Sequence, residues 1–94
     1  MTTNEALQLM HDQYQGTIKP YDGLELDTVF CFFVVDKNDE PIGNNAHFVI
    51  SKDGELCGFR TIGQSLPDKY KNSSSSVRRI SNQEITSIWN EYIK

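Results

Sequence analysis

The sequence predicts an α+β fold: an N-terminal helix, an antiparallel meander sheet of three or four strands, and a C-terminal amphipathic helix packed on the sheet. An unbroken apolar run extends from Thr28 to Val35, and strand-like runs follow at Ala46 to Ile50 and from Glu55. A strand that is apolar on both faces must be covered on both. Burial of the first run therefore organises the predicted architecture.

Length limits the chain to one domain, residues 1–94. With 94 residues and 37% hydrophobic content, a chain buries somewhat more than ~60% of its unfolded surface and cannot sustain two cores. We therefore expect a single compact domain.

The N-terminal element is predicted to be a helix. Thr2 and Glu5 have the spacing of a capping box. Four apolar side chains recur at helical intervals: Ala6, Leu7, Met10 and Tyr14. Gly16 ends the pattern, as glycine often does after the last helical turn.

The next stretch, Thr17 to Asp27, is less regular. Pro20 lacks the amide that a central strand needs, and Asp22-Gly23 is a turn signal. We therefore expect a short or edge strand with a turn, or an irregular approach to the main strand.

Two different connections link the later strands. Asp36 to Asn45 is rich in turn formers and acids, which predicts an exposed acidic loop.

Asp53-Gly54 predicts a two-residue hairpin. That hairpin would pair Lys52 with Glu55, Ile50 with Cys57, Phe48 with Phe59, and His47 with Arg60. One core face would then hold Phe48, Ile50, Cys57 and Phe59, whereas a three-residue loop with a bulge would shift the register.

The last helix carries the strongest local pattern. Asn72 to Ser76 is a serine-rich connector, expected to be flexible because it buries little apolar surface. Ser81 and Glu84 have capping-box spacing, and Ile80 and Ile85 occupy hydrophobic-staple positions. One apolar stripe follows: Ile85, Ile88, Trp89, Tyr92 and Ile93. The stripe is expected to cover the sheet.

The charge distribution disfavours nucleic acid as a partner. The formal net charge is -4; residues 1–45 hold eight acids against two bases, and residues 46–94 hold five against seven. The halves thus carry charges of -6 and +2. Nucleic-acid binders usually show a basic stripe with exposed aromatics, and here the bases are scattered.

The sequence also predicts a soluble cytoplasmic protein with no membrane partner. The start lacks the basic and apolar regions of a signal peptide, and no apolar run approaches the ~20 residues of a spanning helix. Cys31 and Cys57 fall in predicted strands beside aromatics, which suits buried free thiols.

No catalytic group, metal site or cofactor is predicted. A thiol enzyme would need a cysteine beside a histidine, and the preferred register puts His47 and Cys57 on opposite faces, although the alternative register puts them on one. The series Asp36, Asn38, Glu40 resembles calcium ligands, but Pro41 stands where the glycine should be.

Charged residues near the strand ends offer two further interpretations. Arg78-Arg79-Ile80-Ser81 resembles a kinase site, but Ser81 has a structural role as N-cap, and we expect the arginines to be solvated. The acids Asp22, Glu25, Asp27, Asp36, Asp39 and Glu40 lie near the two ends of the central strand. They are either solvated loop residues or a docking rim for a basic protein.

Several motifs resemble the YrhB-like family, small bacterial domains grouped with the immunity proteins of polymorphic toxin systems. They are Phe30-Cys31-Phe32, Gly43-Asn44, Phe48-Val49-Ile50, Lys52-Asp53-Gly54-Glu55, Thr61-Ile62-Gly63 and Leu66-Pro67-Asp68-Lys69-Tyr70, within about residues 5–71. In the YrhB-like family a proline is common before the second apolar strand, and in this chain Ala46-His47 stands in its place. The resemblance implies a non-enzymatic cytoplasmic protein that neutralises a toxin.

The leading prediction is therefore an immunity or inhibitor protein that binds a basic toxin or enzyme. Its contacts would be the carboxylates of Asp36, Asp39 and Glu40 and the neighbouring amides of Asn44 and Asn45. The alternative is a chaperone-like or regulatory domain, possibly a homodimer, that uses an uncovered sheet face.

Overall fold

The computed structural model describes residues 1–14, 16–43, 46–60 and 76–92. Its elements are α1 (Thr3–Tyr14), β1 (Ile18–Leu26), β2 (Val29–Asp36), β3 (His47–Ser51), β4 (Leu56–Arg60), β5 (Ser76–Ile80) and α2 (Asn82–Tyr92). The predicted α+β class, with a helix at each end of an antiparallel sheet, is confirmed. In these ranges the sheet has five strands, which corrects the predicted three or four.

The sheet has the order β4-β3-β2-β1-β5, with every neighbouring pair antiparallel. β1 to β4 form the predicted meander, and β5 adds to its free edge. β5 was missed because its arginines give it no strand-like apolar pattern. Pairing with β1 places Arg78 opposite Glu25, so charge pairing between the strands helps to hold it. Of the predicted flexible connector, residues 72–75 lie outside the described residues.

β1 is a nine-residue strand between β2 and β5, so the expectation of a short or edge strand is wrong. β5 pairs only with Gly23 to Leu26 of β1. Pro20 lies outside this paired part of β1, so β5 needs no backbone amide from it. A register shift between Pro20 and Asp22 absorbs one extra residue. A Cβ on Gly23 would lie 3.0 Å from Phe32 Cδ1, so this glycine permits close strand packing rather than a turn.

Both helices cover one face of the sheet, called here the helix-covered face. Its core joins residues of both helices to the sheet: Ala6, Leu7, Met10, Ile85 and Trp89 pack with Phe30, Phe32, Val34, Phe48, Ile50 and Ile80. The capping box of α1 forms as predicted, with Thr2 N donating to Glu5 Oε1 (3.0 Å) and Glu5 N to Thr2 Oγ1 (3.2 Å). At α2, Glu84 N donates to Ser81 Oγ over 3.2 Å.

The opposite face holds a second cluster of Val29, Cys31 and Val49, which are 0%, 7% and 0% exposed. Leu26 and Cys57 pack against it. The centre of β2 is therefore buried on both faces, as its apolar run predicts. Burial of this cluster within one chain leaves less apolar area for a dimer mate or a client. The third expected cover, Leu66 to Tyr70, lies outside the described residues.

The β3–β4 hairpin differs from the predicted two-residue turn. Gly54 N donates to Ser51 O (2.9 Å) and Ser51 N to Glu55 O (2.8 Å), which closes a three-residue loop with Gly54 at φ 92°. The predicted pairs of Lys52 with Glu55 and Ile50 with Cys57 are therefore wrong, and Ile50 pairs with Leu56.

A bulge at Cys57 then restores the register, because the next residue, Gly58, adopts φ 83°. The predicted pairs His47–Arg60 and Phe48–Phe59 are consequently confirmed. Cys57 turns to the second cluster instead of the helix-covered face. His47, two residues before Val49 on β3, shares that face, so the predicted separation of His47 and Cys57 is also wrong.

Candidate functional site

The candidate site is the β2–β3 loop, described over residues 37–43. Asp36, the last residue of β2, controls its shape. Asp36 Oδ1 accepts hydrogen bonds from Asn38 N (2.8 Å) and Glu40 N (3.0 Å). The backbone adds Asp36 N to Glu40 O (2.9 Å) and Asp39 N to Asp36 O (3.0 Å). The Asp36 carboxylate, predicted as a partner contact, is therefore engaged in closing the loop.

Asp39 is held in an unusual backbone conformation, with φ 65°. Aspartate tolerates this left-handed region better than most residues. Its carboxylate forms an ion pair with Lys19 Nζ at 2.8 Å. Both side chains are largely solvated, so the pair contributes only about 0–1 kcal/mol. Val35 and Pro41 form an isolated bridge that fixes the far side of the loop.

The fixed loop presents an acid next to an aliphatic side chain. Glu40 is exposed, and the aliphatic side chain of Ile42 is 42% exposed. Together they offer a partner both charge and apolar area. Asn44 and Asn45, predicted as neighbouring contacts, lie outside the described residues.

Lys19, which comes from β1, makes this region less acidic than the loop sequence indicates. Lys19 and Lys37 offset two of the three carboxylates of Asp36, Asp39 and Glu40, which leaves a local charge of -1. Lys19 was not predicted at this site because it precedes the loop by many residues in the sequence. The antiparallel pairing of β1 and β2 places Lys19 opposite Val35 and so beside the loop, and a correct prediction of that pairing would have identified it.

A pocket of about 330 Å³ lies beside the loop, lined by Gly16, Ile18, Lys19, Lys37, Trp89 and Asn90. Trp89 is 2% exposed and packs its ring edge-on with His11 at a centroid distance of 5.1 Å. Its buried indole N–H donates to no acceptor within the part of the chain that is described. An unpaired buried donor costs about 1–3 kcal/mol. The apolar stripe predicted Trp89 as a core residue but gave no sign of the pocket.

At the other end of the sheet, Arg78 donates hydrogen bonds to three polar or charged side chains. Arg78 Nε donates to Glu25 Oε1 (3.1 Å), Arg78 Nη2 to Thr3 Oγ1 (2.8 Å), and both terminal nitrogens to Glu84. Lys52 Nζ lies 2.8 Å from Glu25 Oε2. The hydrogen bond from Lys52 is the main cause that lowers the pKa of Glu25, with Arg78 adding to it.

The prediction of solvated arginines is therefore wrong for Arg78, whereas Arg79 is 74% exposed and has one ion-pair partner. Arg79 Nη2 lies 2.8 Å from Asp22 Oδ2. The acids Asp22 and Glu25, expected in a docking rim, are neutralised within the chain. Of the predicted rim acids, Glu40 in the β2–β3 loop and Asp27 between β1 and β2 are exposed and form no ion pair with any described residue.

The two cysteines lie in different environments. Burial, with a smaller effect of Cys57, raises the pKa of Cys31 to about 11. Cys57 is half-buried, and its Sγ donates to Glu55 O over 3.6 Å. Thiolates are the reactive form, so Cys31 is a poor nucleophile at neutral pH.

Among residues 1–14, 16–43, 46–60 and 76–92, no cluster of three His, Cys, Asp or Glu side chains could hold a metal ion. Within the same ranges, neither helix has the length and apolar character needed to cross a membrane.

Comparison of the chain with protein-family models, with curated proteins and with solved structures finds no match in any of the three. The fold and the site are therefore interpreted from their own geometry. Membership of the YrhB-like family stays a prediction based on the motifs quoted above.

Proposed function

We propose that this chain is a non-enzymatic cytoplasmic domain that binds and inhibits a basic protein, with the β2–β3 loop as its contact surface. The proposal rests on the two hydrogen bonds that Asp36 Oδ1 accepts from the backbone amides of Asn38 and Glu40. These bonds keep Glu40 and Ile42 at the surface in one arrangement. A loop ordered in advance loses little conformational entropy when a partner binds.

The loop chemistry suits a partner rich in lysine or arginine. Glu40 offers a carboxylate that no other described side chain engages, and Asp39 can exchange Lys19 for a cation of the partner. Rim charges of this kind mainly increase the association rate and select the partner. Ile42 adds apolar contact area, the component that desolvation of an interface favours.

The resemblance to the YrhB-like family suggests the class of partner: a toxin made by the same or a neighbouring cell. Co-expression tests this. The protein encoded by the neighbouring reading frame should arrest growth when produced alone, and this chain should restore growth.

The loop is tested by a pair of charge reversals matched in size. Glu40→Lys should protect cells less than the unmodified chain. Asp53→Lys changes the net charge equally, but lies in the hairpin after β3, at the other end of that strand from the loop. It should protect fully. Equal protection by both variants would exclude the loop as the contact, and failure of the unmodified chain to bind the neighbouring product would exclude this class of partner.

One observation favours the alternative, a regulatory domain or homodimer that uses the face without helices. Tyr21, 39% exposed, packs against the half-buried Phe33 on that face, with ring centroids 6.5 Å apart. Self-association that Tyr21→Ser abolishes, measured by sedimentation, would support this alternative. A monomer at all concentrations would reject the homodimer.

A further inference from the structure

The face of the sheet without helices carries an apolar patch beside the β2–β3 loop. We propose that this patch continues the contact surface of the loop and that Tyr21 is its anchor residue, against which an aliphatic or aromatic side chain of the basic partner packs. The inference rests on the proposed function and adds to it the residue that retains the partner after association.

The patch is continuous with the loop. Antiparallel pairing sets Lys19 opposite Val35, and a bridge joins Val35 to Pro41. Paired residues share a face of the sheet, and so do residues two apart on one strand. Phe33 therefore lies beside Val35 on the face without helices, and Tyr21 packs against Phe33. The patch consists of Tyr21, Phe33, Val35 and Pro41, and Pro41 belongs to the loop as well.

The patch combines an exposed ring with a supported one. Tyr21 is 39% exposed, whereas Phe33 is half-buried. Phe33 contacts the rings of Tyr21 and His47, at centroid distances of 6.5 and 5.6 Å. Aromatic side chains offer a large contact area and lose little conformational entropy when a partner covers them. Tyrosine is also one of the residue types that most often dominate the affinity of an interface.

The charges around the patch select its occupant. Two ion pairs border it, Lys19 with Asp39 and Arg79 with Asp22, each at 2.8 Å. An apolar centre with a charged rim is the usual anatomy of a protein interface. Glu40 adds an exposed carboxylate, and the whole chain has a formal net charge of -4. A second copy would bring the same excess of acids to the patch, so a basic partner fits it better.

Binding kinetics with the purified product of the neighbouring reading frame test the anchor residue. Tyr21→Ala should raise Kd about tenfold or more, mainly through faster dissociation. The increase should persist at high salt, because salt screens charges and not apolar contacts. Tyr21→Phe keeps the ring and should bind as the unmodified chain does.

Phe59→Ala is the matched control. Phe59 is an aromatic residue of nearly equal exposure, 37%, but it packs against Phe48, whose side chain belongs to the core of the helix-covered face. Its replacement should leave Kd unchanged. Thermal unfolding of each variant verifies that the fold is retained.

Failure of the anchor residue and failure of the proposed function give different results. An unchanged dissociation rate in Tyr21→Ala, or an equal change in Phe59→Ala, would overturn the anchor residue, while slower association of Glu40→Lys in the same experiment would still support the loop. A product that does not bind the unmodified chain would overturn both. Self-association that Tyr21→Ala abolishes would assign the patch to a second copy and overturn the inference.

Discussion

Arg78 links three other elements among the described residues. Its guanidinium group contacts β1 through Glu25, α1 through Thr3, and α2 through Glu84. Arginine suits this role because its donors form a planar fork. Its position in sequence, in a weakly patterned segment before α2, gave no sign of these contacts.

Replacement of Arg78 by alanine should lower the free energy of unfolding by about 1–2 kcal/mol, since it removes several charge-assisted hydrogen bonds that are only partly shielded from water. Arg79→Ala is the matched control. Its side chain is 74% exposed and has one carboxylate partner, so its loss should change stability by less than about 0.5 kcal/mol. Urea unfolding measures both, and equal losses would show that Arg78 has no special role.

Glu25 should make stability depend on pH in the acidic range. Its pKa in the folded chain is lowered from the ordinary value of 4.5, first by the hydrogen bond from Lys52. A lowered carboxyl pKa stabilises the fold above the unfolded value, and the contribution is lost as pH falls through the folded pKa. The free energy of unfolding should therefore decline below about pH 4.5. Glu25→Gln should show a shallower decline, and an identical decline would contradict this.

Cys31 and Cys57 should differ in reactivity towards iodoacetamide. Cys31 is buried, with its pKa raised to about 11, so it should react in the native protein only through unfolding. Cys57 is half-buried and should react faster. Mass spectrometry after timed alkylation locates each modification. Rapid reaction of either thiol below neutral pH would indicate an activated nucleophile, and with it the thiol-enzyme alternative.

At the scale of elements, local chemistry predicted the helix ends better than the strand pairings. The capping residues Thr2 and Ser81 could be identified because a cap depends on neighbours within one turn. The β3–β4 register depended on two compensating irregularities, the three-residue loop and the bulge at Cys57. Each shifts the register by one residue, so the pairs far from the turn matched the prediction although those near it did not.

Gly58 is expected to be essential for that compensation. At φ 83° a side chain is strained, so Gly58→Ala should reduce stability by about 1–2 kcal/mol. Gly58→Asn should lose less, because asparagine tolerates positive φ better than alanine does. Thermal unfolding compares the two variants, and equal loss would show that backbone conformation is not the cause.

At the scale of the whole molecule, one sequence feature determined the class of fold. The apolar run of β2 required cover on both faces, and the structure buries Phe30 and Phe32 on one face and Val29 and Cys31 on the other. The fifth strand could not be predicted, because β5 is fixed by its partner β1 rather than by its own composition.

The location of the candidate site was predictable, but its internal organisation was not. Turn formers and acids indicated an exposed loop after β2. The engagement of Asp36 with backbone amides, and the arrival of Lys19 from β1, depend on tertiary geometry that no local pattern records. The indole N–H of Trp89, unpaired among the described residues, could not be predicted either. The apolar stripe of a core helix and the wall of a pocket use the same residue types.

The central claim, that the β2–β3 loop contacts a basic partner, is tested most directly by association kinetics with the purified partner. Glu40→Lys should slow association about tenfold or more at low ionic strength, and the difference from the unmodified chain should shrink as salt is added. Asp53→Lys should associate at nearly the unmodified rate. Equal association rates for Glu40→Lys and the unmodified chain at low salt would contradict the account.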